Sequence, residues 1–139
     1  MSEPTVVNHV GLCVRDLERS TRFYVDLLGF EPDGELTVPD DPTATLLGLD
    51  PPVGLRAVYL RLGSFRLELL HYAERTPSAR TRPMDELGLT HLSIGVDDPR
   101  ALLERVEAHG GTLLPSTDIG VAAFIRDPDG QLIELLPRR

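Results

Sequence analysis

The sequence predicts an α+β fold in which a β-α-β-β-β unit is present twice. Residues 8–16 (NHVGLCVRD) align with residues 90–98 (THLSIGVDD). Two later segments also align, residues 57–60 and 67–70 with residues 123–126 and 133–136. In each half, apolar and polar residues first alternate as in a strand. A segment with apolar residues at helical spacing follows, and then further alternating segments. The repeat therefore predicts two modules of the same construction.

The first half begins with an alternating segment over residues 6–14, which predicts a strand. Asp16 is placed to cap a helix over residues 17–28, and Gly29 stands where helices commonly end in a left-handed residue. We expect the apolar face of this helix to consist of Leu17, Tyr24, Leu27 and Leu28.

The second half repeats this plan. A predicted strand over residues 89–96 is followed by Asp98 as the helix cap and by Pro99, a residue favoured at the first helical position. The glycines at residues 110–111 end the helix. Its predicted buried stripe is Leu102, Leu103 and Val106.

Two β-hairpins complete the halves, each around a strong turn signal. The turns are residues 63–64 (GS) and residues 127–130 (DPDG). The predicted hairpin strands are residues 57–62, 66–72, 121–126 and 131–136. We expect one further short strand per half, near residues 31–38 and residues 112–115.

Two segments interrupt the repeat. The first is residues 39–55, an insertion rich in proline and glycine in which we expect a short helical turn. The second is the polar segment that links the two halves. The chain is thus predicted to be a single domain over residues 1–139, made of a module at residues 5–73, a linker at residues 74–87 and a module at residues 88–137.

Composition excludes several classes of function. The net charge of −8 opposes binding to nucleic acid, and no apolar run is long enough to span a membrane. All 14 basic residues are arginine, which excludes lysine-dependent chemistry. A single cysteine fits a reducing compartment, and we expect a cytoplasmic protein.

Four residues of the repeat predict a metal site. Each half supplies one histidine and one glutamate at matching places, His9 with Glu68 and His91 with Glu134. Both glutamates are flanked by apolar strand residues, and a buried carboxylate without a partner is costly. One divalent cation that is bound by all four side chains would explain why both glutamates are buried. Mixed nitrogen and oxygen donors suit Zn, Ni, Co, Mn or Fe.

The chain resembles the vicinal oxygen chelate superfamily, which includes glyoxalase I, methylmalonyl-CoA epimerase, extradiol dioxygenases, and fosfomycin and bleomycin resistance proteins. The resemblance covers nearly the whole chain. It is carried by residues 8–11, 22–30, 67–69, 90–93 and 127–135. It implies two tandem βαβββ modules forming a U-shaped mixed sheet around a metal site, and commonly a homodimer.

The resemblance places His9, Glu68, His91 and Glu134 on the ligand positions of the superfamily. Relatives of the dioxygenase and fosfomycin type typically use two histidines and one glutamate. Glu68 therefore favours the branch of glyoxalase I and the epimerases. Whether the four ligands belong to one chain or lie across a dimer interface is left open.

This branch implies a metal-dependent lyase or isomerase acting on a small carbonyl compound through a metal-bound enolate or enediolate. We assign the proton transfer to Glu134, with Glu68 as the candidate on the opposite face of the substrate. The alternatives are an Fe(II) extradiol-type dioxygenase and a metal-free protein that binds a small molecule or drug. A dioxygenase needs a further histidine near the metal, and neither His71 nor His109 is well placed.

Other residues are candidates for the pocket. Cys13 shares a strand face with His9, although a small buried apolar role is favoured for it. Tyr72 and Ser93 are the other two candidates. Glutathione dependence is open, and the arginines available to recognise it are Arg15, Arg22 and Arg61.

Overall fold

A computed structural model describes residues 2–78 and 82–138 of the chain. The chain divides into two compact units, one of Met1–Val25 and Gly29–Pro77 and the other of Asp26–Leu28 and Ser78–Arg139. We refer to them as the first unit and the second unit. The predicted α+β class with tandem βαβββ modules is confirmed, because each unit contains a four-stranded mixed sheet and helical segments.

The first unit has its sheet in the order β1-β4-β3-β2, with β1 parallel to β4 and the remaining pairs antiparallel. Its elements are β1 (Val10–Cys13), α1 (Leu17–Arg22), a π-helical turn (Phe23–Leu27), β2 (Glu31–Thr37), α2 (Asp40–Leu47), β3 (Leu55–Leu62) and β4 (Phe65–Tyr72).

The second unit repeats this order with β5-β8-β7-β6, and again only the outer pair, β5 with β8, is parallel. Its elements are β5 (His91–Val96), α3 (Pro99–Leu103), a 3₁₀ turn (Glu107–His109), β6 (Thr112–Leu113), a second 3₁₀ turn (Pro115–Thr117), β7 (Ala123–Arg126) and β8 (Leu132–Pro137).

Both helices begin where the sequence predicts. Asp16 accepts a hydrogen bond from the Arg19 backbone N–H, and Asp98 accepts one from the Ala101 N–H. The predicted helix over residues 17–28 is α-helical only through Arg22, because its C-terminal half winds as a π-helix. A π-helical turn leaves the i→i−4 pattern on which the sequence periodicity depends.

Helices α1 and α3 each pack against the inner strand of the outer, parallel pair of their own unit, α1 against β4 and α3 against β8. The odd-numbered residues of β4 and β8, such as Leu67, Leu69, Ile133 and Leu135, are almost fully buried on that side. The even-numbered residues, which include both predicted glutamate ligands, lie on the opposite face. α3 ends at Leu103, short of the predicted end at residues 110–111. Of the predicted buried stripe, Leu102 and Val106 are buried and Leu103 is half-buried.

The insertion in the first unit is held by one carboxylate. Asp40, at the start of α2, accepts hydrogen bonds from the Val53 and Gly54 backbone N–H groups at 3.0–3.2 Å. Ala44 and Val53 are buried on this segment, so the insertion is packed structure with the expected helical turn. None of the helices in the described ranges has the length and apolar character needed to cross a membrane.

Candidate functional site

The first unit brings His9 and Glu68 together. His9 immediately precedes β1, and the parallel register sets Gly11 beside Glu68 on β4. The His9 Nε2 atom lies 3.3 Å from the Glu68 Oε1 atom. As expected for a strand glutamate among leucines, Glu68 is buried, with 11% of its side chain exposed.

Three further side chains surround this pair. The His9 Nδ1 atom lies 2.6 Å from the Asn8 Oδ1 atom, and the His9 ring meets the Tyr59 ring edge-on at 5.5 Å. The Tyr59 hydroxyl donates to the Glu68 carboxylate, and this bond is the largest cause of a raised pKa for Tyr59. The Arg66 guanidinium stacks over the Tyr59 ring, with its central carbon 3.9 Å from the ring centroid.

The second unit brings His91 and Glu134 together in the same register. The His91 Nε2 atom lies 3.8 Å from the Glu134 Oε1 atom, and the Thr90 Oγ1 atom lies 2.8 Å from His91 Nδ1. The His91 ring meets Phe124 edge-on at 5.1 Å. Ser93 donates a hydrogen bond of 2.8 Å to Glu134. The Glu134 side chain is 26% exposed, so its predicted burial is only partial.

The strand register reveals a repeat partner that the sequence alignment missed. Tyr59 lies directly opposite Glu68, and Phe124 lies directly opposite Glu134. The alignment of residues 57–60 with residues 123–126 is therefore wrong by one residue, because the two hairpin turns differ in length by one. The aromatic character shared by Tyr59 and Phe124 is the signal that would have corrected it.

The hydrogen bonds of His9 constrain what lies between the two side chains. The Asn8 Oδ1 atom can only accept, so His9 Nδ1 carries a proton, and in a neutral ring the Nε2 lone pair faces the Glu68 carboxylate. Two acceptors at this distance repel unless a cation or a proton lies between them. An imidazole oriented by a second hydrogen bond is how protein metal sites present histidine. The donor set fits a divalent cation.

Each unit supplies two such donors. Across residues 2–78 and 82–138, no three His, Cys, Asp and Glu side chains are gathered into a group that could hold a metal ion. The four-ligand set of His9, Glu68, His91 and Glu134 therefore stays a prediction, founded on two matching pairs.

The remaining candidates have mixed outcomes. Cys13, at the end of β1, is exposed, so the favoured role as a small buried residue is wrong. Tyr72 has a raised pKa, first because of partial burial and then because of the nearby Cys13 and Glu68 charges. His71 lies on the face of β4 opposite to Glu68, with Nδ1 3.4 Å from the Val14 carbonyl oxygen. His109 Nδ1 lies 2.8 Å from the Arg105 carbonyl oxygen.

Arg61 is one of the arginines considered for glutathione. Arg61 donates to Glu31 on β2 at 3.0 Å, and the side chains of both residues are largely exposed. Neither Arg61 nor Arg22 belongs to the groups surrounding His9 and Glu68. The pairs themselves are therefore better defined than any site for glutathione.

A sequence profile of the Glyoxalase/Bleomycin resistance protein/Dioxygenase superfamily matches residues 6–135. The chain is 31% identical to a lactoylglutathione lyase of Haemophilus influenzae, over 94% of this chain and 91% of that protein. It is 28% identical to an ethylmalonyl-CoA/methylmalonyl-CoA epimerase of Cereibacter sphaeroides, over 93% of this chain and 95% of that protein. It spans only 43% of the lactoylglutathione lyase GLX1 of Arabidopsis thaliana.

The fold is also that of solved structures. Glyoxalase I of Leishmania major superimposes with a TM-score of 0.72 at 28% identity, over 96% of this chain and 87% of the other.

Proposed function

The chain belongs to the Glyoxalase/Bleomycin resistance protein/Dioxygenase superfamily, and we propose that it is a metal-dependent enzyme that isomerises or epimerises a small carbonyl compound. The observation that carries the proposal is the occurrence, once in each unit, of a histidine aimed at a strand glutamate. The resemblance to a lactoylglutathione lyase and to an epimerase supports this class of reaction over the alternatives.

We propose that His9, Glu68, His91 and Glu134 ligate one divalent ion of Zn, Ni, Co, Mn or Fe. When bound, such an ion supplies Lewis acidity that stabilises negative charge on a substrate oxygen. Asn8 and Thr90 hold the two imidazoles by their Nδ1 atoms, which leaves each Nε2 atom for the ion. We also propose a homodimer, which the resemblance implies, and a cytoplasmic location, which the single cysteine favours.

We assign the proton transfer to Glu134. Its carboxylate is more exposed than that of Glu68, 26% against 11%, and it lies farther from its histidine, 3.8 Å against 3.3 Å. In the isomerisation of an α-hydroxycarbonyl compound, Glu134 takes the proton from the carbon that bears the hydroxyl and returns it to the former carbonyl carbon. The hydroxyl proton passes to the former carbonyl oxygen, so no atom is gained or lost. In an epimerisation, Glu68 returns the proton to the opposite face. Ser93 orients Glu134 through its hydroxyl.

The experiment is deuterium exchange from D₂O into carbonyl compounds with an acidic hydrogen beside the carbonyl, with methylmalonyl-CoA and lactoylglutathione as the first probes. Glu134→Gln keeps the size and an oxygen ligand but removes the base. We expect it to retain bound metal and to slow the exchange by roughly 100-fold or more. Glu107→Gln, outside both pairs, is the matched control. Full exchange in Glu134→Gln would sink the assignment.

A further inference from the structure

A cleft lies on the Glu134 face of the sheet in the second unit. Its volume is about 660 Å³, and Phe124, Arg126 and Leu132 form its floor. Phe124 pairs with Glu134, and Arg126 pairs with Leu132, in the antiparallel register of β7 with β8. Directly opposed residues share a face of the sheet, so the floor of the cleft is continuous with the His91–Glu134 pair. The other walls are mostly apolar, with Pro83, Met84 and Leu114 among them.

Arg126 places an uncompensated positive charge in this apolar cleft. It is half-buried, and its Nη1 atom donates to the Gly130 carbonyl oxygen at 2.8 Å. Within the part of the chain that the structure describes, no carboxylate pairs with it. Arg82, the other arginine of the cleft, donates to the Leu87 and Leu89 carbonyl oxygens and lies 3.7 Å from a Glu86 carboxylate oxygen. Arg82 therefore has a carboxylate beside it and two carbonyl acceptors, although its Nε atom is buried without a hydrogen-bond partner among the described residues.

A guanidinium with free N–H groups in apolar surroundings is a strong site for a carboxylate or phosphate oxygen pair. Arg126 is two residues from Phe124 along β7, which is about 7 Å, so an anion bound there lies a short distance from the Glu134 carboxylate. A compound that reaches both needs an anionic end, a short hydrocarbon body against Phe124 and Leu132, and a carbonyl near Glu134.

We propose that the substrate is a short-chain carbonyl compound with an anionic end, and that Arg126 is the residue that binds this end. The proposal rests on the function proposed above and names the substrate class for the same site. Arg126 acts on specificity: it holds the substrate with its carbonyl toward His91 and Glu134, while the apolar walls exclude compounds with a polar body.

The test is a binding measurement by NMR titration on the purified protein. The probes are 4-oxopentanoate and its methyl ester, which have the same carbon skeleton but differ in charge. We expect the unaltered protein to bind the anion about tenfold or more tightly than the ester, as for a charge-assisted hydrogen bond. Arg126→Gln should remove this preference, and Arg126→Lys should restore part of it.

Arg138→Gln is the matched control, because it removes one positive charge of the second unit at an exposed position that pairs with Asp97 outside the cleft. It should leave the preference unchanged. Inorganic phosphate as competitor distinguishes a phosphate-selective site, where it displaces 4-oxopentanoate, from a carboxylate-selective one, where it does not; either supports an anion site at Arg126. Equal affinity for the two probes, or an unchanged preference in Arg126→Gln, overturns the proposal.

This outcome is separable from the proposed function, because no turnover is measured. In one outcome, deuterium exchange depends on Glu134 while the preference for the anion is unchanged in Arg126→Gln. That result supports the proposed enzyme class and contradicts the substrate class proposed here. An Arg126-dependent preference in a protein without Glu134-dependent exchange supports the cleft and contradicts the proposed chemistry.

Discussion

The two units present the same pair of side chains in different surroundings. Glu68 and Glu134 hold the same position in the strand register, opposite an aromatic residue and beside the strand that follows the histidine. In the first unit the Glu68 carboxylate accepts a hydrogen bond from the Tyr59 hydroxyl, whereas in the second the Glu134 carboxylate accepts one from the Ser93 hydroxyl. The two units share the donor side chains and differ in the residues around them.

The difference indicates a division of labour. The Tyr59 ring lies between the Arg66 guanidinium and the His9 ring, and its hydroxyl donates to Glu68. Phe124 has no hydroxyl to offer, and Ser93 is a small side chain on an exposed strand position. The Glu134 carboxylate is therefore the more exposed of the two, 26% against 11%, which favours Glu134 for the proton transfer that we propose.

Exchanging the aromatic residues should break this division most strongly. Tyr59→Phe keeps both ring contacts but removes the hydroxyl, and we expect metal affinity to fall about tenfold, as is common when a partner of a ligand is lost. Phe124→Tyr sets a hydroxyl opposite Glu134 and should slow deuterium exchange with little loss of metal. Competition with a chelator and the exchange rate measure the two effects.

These two variants control each other, because each makes one unit resemble the other. If Phe124→Tyr raises the exchange rate, or if Tyr59→Phe slows exchange while metal affinity is unchanged, the roles of the two glutamates are reversed from those proposed.

A smaller effect is expected at the hydroxyl of the second unit. Ser93→Ala removes one hydrogen bond to a carboxylate, worth about 1.5 kcal/mol, so exchange should slow about tenfold. The equivalent residue in the first unit is Gly11, where an added Cβ meets the Leu70 Cδ1 atom at 3.2 Å and the Glu68 Oε1 atom at 3.9 Å. Gly11→Ser, as the matched variant, should leave exchange nearly unchanged; a loss equal to that in Ser93→Ala would argue against a special role for Glu134.

The smallest effect concerns stability, at the same helix position of each unit. Two residues after the cap, α1 has Glu18, 3.6 Å from Arg56, and α3 has Arg100, which pairs with Asp118 and the Gly120 carbonyl. The Arg100 guanidinium lowers the pKa of Asp118 to about 2.

Because the pKa of Asp118 is depressed on folding, its contribution to stability is present above its ordinary pKa and is lost as pH falls toward 2. Asp118→Asn should lower Tm by a small amount at neutral pH, and the difference should vanish on acidification. Glu18→Gln, which breaks a longer and exposed ion pair, should change Tm less. A Tm difference for Asp118→Asn that is constant with pH would contradict this account.

Local signals predicted most of the fold. Asp16, Asp98 and Pro99 marked the helix starts because capping depends only on near neighbours in sequence. The end of the first helix was less predictable, because nothing in residues 23–27 distinguishes a π-helical turn from an α-helical one. The short β1 strand likewise falls inside the broader alternation of residues 6–14.

Of the candidate site, the donors were predictable and their neighbours were not. A histidine and a glutamate recur in register, whereas Tyr59 became visible only when the strand pairing fixed the residue opposite Glu68. The half-buried state of Glu134 has the same origin. Its neighbours Ile133 and Leu135 are buried on the odd face of β8 and give no information on what covers the even face.

The most direct test of the account is elemental analysis of protein purified without chelators, beside His9→Ala and His91→Ala. We predict close to one divalent ion per chain in the unaltered protein and a large loss from either variant, because the proposed site takes ligands from both units for the same ion. Absence of metal in the unaltered protein with none taken up on reconstitution, or two ions per chain of which each variant loses one, would contradict the shared site.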